Sequence, residues 1–263
     1  MAVYQHLEVT EQGEITTVTM TRTTHRNALD KVLMGELTHF AQARRLDTRT
    51  KVIILRGTDH YFSAGADLSL LADISGKTAG GHPDLLAQRQ LAKIGPEMCK
   101  AWEELPQITI AAIEGHCVGG GVALALACDF RIVAEGTTMR LPEIPLGLNM
   151  SWQSIPRLVS LIGPARTKRM VIYGEALDAQ TLTAWGLAED CVDDRMTMQA
   201  AWDWAEKTVT LPALAVRMSK EAVTATASAL HNAASFMDSD QFLLASLTED
   251  HAQRVQQALK KKT

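Results

Sequence analysis

Three glycines in a row, Gly119, Gly120 and Gly121, stand directly before the apolar run at 122–127. Upstream, "ITIAAIEG" (108–115) is a short β-branched apolar stretch of the kind that forms a buried strand. The triplet therefore falls where a strand gives way to a helix. The first N–H groups of a helix lack intrahelical partners and sit at the positive end of its dipole. Bare backbone there lets a ligand oxygen approach, so one reading is an anion or oxyanion pocket. The other reading is a tight turn packed closely against its neighbours. A phosphate-binding P-loop is disfavoured because no Gly-Lys-Ser/Thr follows. A dinucleotide fingerprint is disfavoured because the G-x-G-x-x-G spacing is missing.

A second segment has the same grammar. The strand-like "KVIILRG" (51–57) runs into "TDHYFSAGADLSLL" (58–71), a small-residue turn and a helix start with acidic Asp67 in its first turn. Two such turns could aim two backbone N–H groups at one oxygen, as stabilising an enolate made from a thioester requires. Glu143 lies in "LPEIPLGL" (141–148), and the local sequence favours a structural ion pair with Arg140. Its neighbours Pro142, Ile144 and Pro145 are apolar, and an apolar setting raises a carboxyl pKa toward the range useful for a base.

These elements must be held by a framework. "HLEVT" and "ITTVTMT" around Glu11-Gln12-Gly13 read as a hairpin, and 29–45 has helical apolar spacing. A helix is expected around 84–104 and a strand at "DFRIVAEG" (129–136). The Gly-rich stretch 74–84 has no periodicity and is expected to be a mobile loop. From about 151 the chain reads as almost all helix, with an amphipathic segment at 235–260. No fixed-period repeat is present.

Composition narrows the function. The formal net charge of −4 disfavours a nucleic-acid partner, and the run Lys260-Lys261-Lys262 reads as a solvated tail. The four cysteines, Cys99, Cys117, Cys128 and Cys191, have neither C-x-x-C nor zinc spacing, so reduced core residues and no metal are expected. The N-terminus has no apolar signal region. The longest strongly apolar uncharged run, 115–128, is too short to span a bilayer. A cytoplasmic protein with no membrane partner is the expectation.

"HRNALD" (25–30), "YFSAGADL" (61–68), "IAAIEGHCVGGGVALALACDFRIVAEG" (110–136), "LPEIPLGL" and "LDAQTLTAWGLAEDCV" (177–192) resemble the crotonase superfamily, the enoyl-CoA hydratase/isomerase family. The likeness spans nearly the whole chain. It implies an α/β fold, a crotonase-like spiral of ββα units. Residues 1–200 would form the core with the acyl-CoA site, and 201–263 a helical C-terminal region that builds a homotrimer, often doubled to a hexamer. It also implies fatty acid metabolism, no cofactor beyond the coenzyme A moiety of the substrate, oxyanion donors at the N–H groups of Ala66 and Gly120, and a coenzyme A grip by His25, Arg26, Ala28, Ala64 and Leu68.

Hydratases of that family carry a first glutamate three positions after the middle glycine and a second twenty positions further. Here these positions are Ala123 and Glu143. One carboxylate is missing and one is kept. A 1,3-proton shift needs one base; adding water wants a second group. The reading is therefore an enoyl-CoA double-bond isomerase with Glu143 as single acid/base. The alternatives are a hydratase with a substituted water-activating group, or a non-catalytic acyl-CoA-binding subunit; an RNA-binding relative is disfavoured by charge. Glu114, Asp129 and Arg157 read as structural, and His116 is the reserve acid/base. "LNMSWQSIPRL" (148–158) replaces the small, Gly-rich stretch usual after this loop, so Asn149, Met150, Ser151 and Trp152 are expected to reshape the acyl pocket. Trp152 could equally be a core residue at a helix start.

Overall fold

The computed structural model describes residues 3–67, 69–70 and 84–260. Its first sheet has six strands in the order β1 (Leu7–Gln12), β2 (Ile15–Met20), β3 (Val52–Arg56), β5 (Ile108–Ile113), β7 (Phe130–Ala134) and β10 (Asp190–Val192). The hairpin β1–β2 is antiparallel, turning at Gly13–Glu14, and the rest of the sheet is parallel. Parallel strands are covered on both faces, which explains the unbroken apolar runs. The alternation sorts the side chains cleanly. Ile53, Leu55, Ala111, Ile113 and Val133 join the main core. Val52, Ile54, Ile110, Ala112 and Ile132 join a second core closed by Ala201 and Ala205 of helix α6 (Thr197–Val209).

A second sheet is made of the short strands β4 (Tyr61–Ser63), β6 (His116–Val118), β8 (Thr138–Arg140) and β9 (Leu177–Asp178). Each of β3, β5 and β7 is followed by one of these short strands, the ββα plan that the resemblance implied. The sequence reading passed directly from the strand-like stretch 108–115 to the glycine turn, and β6 corrects it. Gly115, with φ +62°, breaks the strand, and the chain re-pairs when His116 N–H donates to His60 C=O at 3.0 Å. Three residues with one buried side chain carry no periodicity to read.

Helix α1 (Lys31–Arg44) is capped by Asp30, whose carboxylate accepts from Leu33 N–H at 2.8 Å. It buries Leu33, Met34, Leu37, Phe40 and Ala41 at helical spacing. Helix α2 (Leu85–Glu103) is capped by Asp84 and packs on α1, with Trp102 stacked on Phe40. The rest of the expected loop 74–84 lies outside the described residues, as does Leu68. Helix α3 (Gly120–Leu126) is buried along its whole length. Helix α4 (Ser154–Tyr173) is kinked at Gly163–Pro164, and α5 spans Ala179–Trp185. The remaining helices are α7 (Ala213–Ala227), α8 (His231–Ser235), α9 (Asp238–Ser246) and α10 (Glu249–Lys260). The amphipathic segment 235–260 holds the last residue of α8 and then α9 and α10; Thr248 caps α10 by accepting from His251 N–H at 3.3 Å.

Candidate active site

The turn at 64–66 is built against the segment before α1. Arg26 and Asn27 both have left-handed backbone, φ +55° and +52°. That turn offers Arg26 C=O to Ala64 N–H at 2.9 Å, while Ser63 Oγ donates to Asn27 C=O at 2.7 Å and accepts from Gly65 N–H at 3.1 Å. Leu29 pairs with Ala66 as in a parallel sheet: Leu29 N–H donates to Gly65 C=O at 2.8 Å, and Asp67 N–H to Leu29 C=O at 3.0 Å. This pairing uses the N–H of Asp67, so Ala66 turns its own N–H to the opposite side. Asp67 anchors the turn by accepting from Arg22 at 2.7 Å and from Ser69 N–H at 2.9 Å. Burial works to raise its carboxyl, but the bonds from Ser69 and Arg22 outweigh this and hold it below the usual range.

Each glycine of the 119–121 triplet answers to a different neighbour. Gly119 has φ +53°, and a Cβ there would meet Glu143 Oε1 at 2.7 Å. A Cβ on Gly120 would meet the Trp152 ring at 2.4 Å, and one on Gly121 would meet Ser63 Cβ at 2.7 Å. The two turns touch as well, since a Cβ on Gly65 would lie 3.5 Å from Gly120 N. Gly120 N–H, in the first residue of α3, has no intrahelical acceptor. Close packing brings the glycines together, and Gly119 and Gly120 also line a cavity.

That cavity has a volume of about 720 Å³ and is lined from both turns, including Ala66, Gly119 and Gly120. His25 and Arg26 form an exposed rim, and Arg26 lies over the Tyr61 ring at 5.3 Å. Inward, the wall is apolar, with Leu91, Ala92, Leu148, Met150, Trp152 and Phe242. Glu143 sits between these regions. It is half-buried as a residue, but its Oε2 is shielded from solvent and has no hydrogen-bond partner. Burial pushes its carboxyl up to about 7, against the opposing pull of its own backbone N–H and the Arg140 charge. Arg140 forms no ion pair with it among the described residues; its Nε donates instead to Gly174 C=O at 2.9 Å. A carboxyl placed this way in a cleft is a candidate acid/base group.

The sequence pattern of the family Enoyl-CoA hydratase/isomerase matches residues 10–262. The chain belongs to that family. It is 29% identical to a 2,3-dehydroadipyl-CoA hydratase of Escherichia coli over 257 residues, 98% of this chain and 96% of that one. It is 32% identical to a probable enoyl-CoA hydratase of Mycobacterium bovis over 212 residues, 81% of this chain and 79% of that one. The fold matches the crystal structure of an enoyl-CoA hydratase/isomerase from Mycobacterium paratuberculosis with a TM-score of 0.87, at 22% identity, covering 96% and 98% of the two chains. The protein is thus a crotonase-superfamily enzyme of the hydratase/isomerase type.

Of the candidate residues, Glu143, Ala66, Gly120, His25, Arg26, Ala28 and Ala64 come together on the cavity wall, and Leu68 lies outside the described residues. Met150, Ser151 and Trp152 line the cavity, whereas Asn149 is not part of its wall. Glu114 is structural: it accepts from Arg195 N–H, Thr197 N–H and the Thr197 hydroxyl at 2.7–3.3 Å. His116, the reserve acid/base, lies off the wall and bonds Thr138 Oγ1 at 2.7 Å. Asp129 accepts from Thr109 and Lys220, and Arg157 pairs with Glu103. Sequence reasoning missed Gly95, Leu91 and Ala92 of α2, Phe242 of α9 and Val255 of α10, which also line the cavity. Their spacing reads only as ordinary helix. Among the described residues, no group of three His, Cys, Asp or Glu is placed to hold a metal, and no helix is long and apolar enough to cross a membrane.

Proposed function

We propose that this enzyme is an enoyl-CoA double-bond isomerase with Glu143 as its single acid/base. The thioester carbonyl accepts from Ala66 N–H and Gly120 N–H, which stabilise the charge that builds on the oxygen as the enolate forms. The Glu143 carboxylate takes a proton from the carbon next to the thioester of a 3-enoyl-CoA. The electron pair moves through the dienolate, and the same carboxyl returns the proton two carbons away, giving the 2-enoyl-CoA. His25, Arg26, Ala28, Ala64 and Leu68 hold the coenzyme A moiety. The observation that carries the reading is the solvent-shielded, unpartnered Oε2 of Glu143 in the same cavity wall as both turns. Ala123, buried in α3, brings no second carboxylate.

Glu143→Gln tests it. Turnover of a 3-enoyl-CoA should fall by about 10²–10⁴-fold, while a saturated acyl-CoA should still bind. A variant that keeps most of its turnover would overturn the mechanism. The second reading, hydration of a 2-enoyl-CoA, is favoured by the names of the relatives, which include a crotonyl-CoA hydratase of Syntrophomonas wolfei at 26% identity. Native protein that hydrates crotonyl-CoA as fast as it isomerises would establish that alternative. Binding with neither reaction would mark an acyl-CoA-binding subunit. The assembly proposed with this function is a homotrimer or a hexamer.

A further inference from the structure

Trp152 lines the cavity with an uncommon backbone. Its φ is +61° and that of Gln153 is +57°, a region that bulky residues avoid unless their surroundings over-determine it. The surroundings do so here. Arg157, itself locked to Glu103 at 2.8–2.9 Å, donates to Trp152 C=O at 2.9 Å and to Gln153 Oε1 at 3.1 Å. Asp238 of α9 accepts from Gln153 N–H at 3.0 Å. The strained turn is thus held by groups from α2, α4 and α9.

The strain places the indole between two helices that have been cut away for it. A Cβ on Gly95, in the middle of α2, would meet ring atoms Cε2 and Cζ2 at 2.0 and 2.3 Å; one on Gly120 would meet Cζ3 and Cη2 at 2.4 and 2.6 Å. Gly120 and Ala123 lie one turn apart on the same face of α3. Ala123 is fully buried and takes no part in the cavity wall, while Trp152 does. The surface shown to a bound acyl group on this side is therefore indole backed by hydrocarbon. A water stands stably only where it finds two to four polar partners, and Ala123 offers it no side-chain partner on this side.

We propose that Trp152 determines which reaction the acyl group undergoes: its indole, wedged between Gly95 and Gly120, fills the space over α3 where a water would stand beside the acyl carbons. Glu143 is then left to move protons rather than to add water. This rests on the reading of Glu143 as the acid/base.

The test compares Trp152→Leu, Trp152→Phe, Gly95→Ala and the double variant Gly95→Ala/Trp152→Leu, with far-UV circular dichroism to establish folding. Trp152→Leu should raise the ratio of 2-enoyl-CoA hydration to 3-enoyl-CoA isomerisation by roughly tenfold or more, and Trp152→Phe should hold the ratio near that of the native protein. Gly95→Ala drives the indole into the cavity and should weaken binding of a saturated acyl-CoA by roughly tenfold; Trp152→Leu in the same chain should restore it. An unchanged ratio in a folded Trp152→Leu protein overturns the proposal. So does a Gly95→Ala binding defect that the second substitution fails to repair. Retained isomerisation in Glu143→Gln would sink the acid/base reading instead. Should native protein turn over neither substrate, that reading fails too, and the binding cycle still judges the wedge.

Discussion

Glu143 connects burial to pH at the scale of one residue. Its carboxyl is raised from 4.5 to about 7 by burial. A base acts when ionised, so kcat/KM for isomerisation should climb with pH through about 7 and level off above it. A profile already flat from pH 5.5 would contradict this. The same shift has a consequence for stability. Below pH 4.5 the group is protonated in both the folded and the unfolded chain and costs nothing. Between 4.5 and about 7 the unfolded chain ionises first, so stability is lost as pH rises. Above that window the folded state carries a buried charge costing about 3 kcal/mol. Glu143→Gln should therefore raise Tm at pH 8 and leave it nearly unchanged at pH 4.5. A Tm lowered at pH 8 would mean that the carboxylate has a stabilising partner.

At the scale of elements, the glycines divide by what stands beside them. Gly121, in the first turn of α3, stands against Ser63, and Ser63 in turn ties the 64–66 turn to Asn27. Gly121→Ala should push these two turns apart. Overpacking of this kind costs about 1–3 kcal/mol, measurable by urea unfolding, and the proposed isomerase rate should fall with it because both proposed oxyanion donors ride on these turns. Gly35 gives the opposite case. It is exposed in the middle of α1, and a Cβ there meets nothing within 4 Å. Gly35→Ala should stabilise the fold by up to about 1 kcal/mol through helix propensity alone, with no change in rate. The composition of a segment cannot separate the two glycines; their neighbours can.

The whole molecule leaves apolar side chains in water on its C-terminal helices and the turns between them. Leu214, Leu230, Phe236 and Leu244 are each more than 70% exposed, and Met218 and Val223 are 60% and 67% exposed. The proposed trimer would cover side chains of this kind. Light scattering at micromolar concentration should give the mass of a trimer or a hexamer, and Phe236→Asp with Leu244→Asp should shift it toward the monomer. A native monomer would remove the proposed assembly. The cavity bears on the same scale, because Phe242 and Val255 of α9 and α10 close its wall. Changes in how the C-terminal helices pack should accordingly alter acyl-CoA affinity as well as mass.

What the sequence determined by itself is local in character. Strand-like runs at 51–57, 108–115 and 129–136 marked buried strands, helical apolar spacing over 29–45 marked α1, and the small-residue turns after the first two runs marked the ends of strands. The resemblance to the crotonase superfamily singled out Glu143 and the missing carboxylate at Ala123. These features are legible because caps, turns and burial periodicity are written within a few residues of one another. Tertiary structure decided the rest. Arg140 stood three residues from Glu143 and read as its partner, until the fold gave it Gly174 C=O instead. Gly95 read as a helix-interior residue, until the fold laid Trp152 across it. Phe242 and Val255 had nothing in their own segments to connect them with Ala66. Partners brought together from distant parts of the chain leave no local periodicity, so the Glu143 charge, the indole wedge and the cavity itself emerged only once the two sheets and the C-terminal helices were assembled.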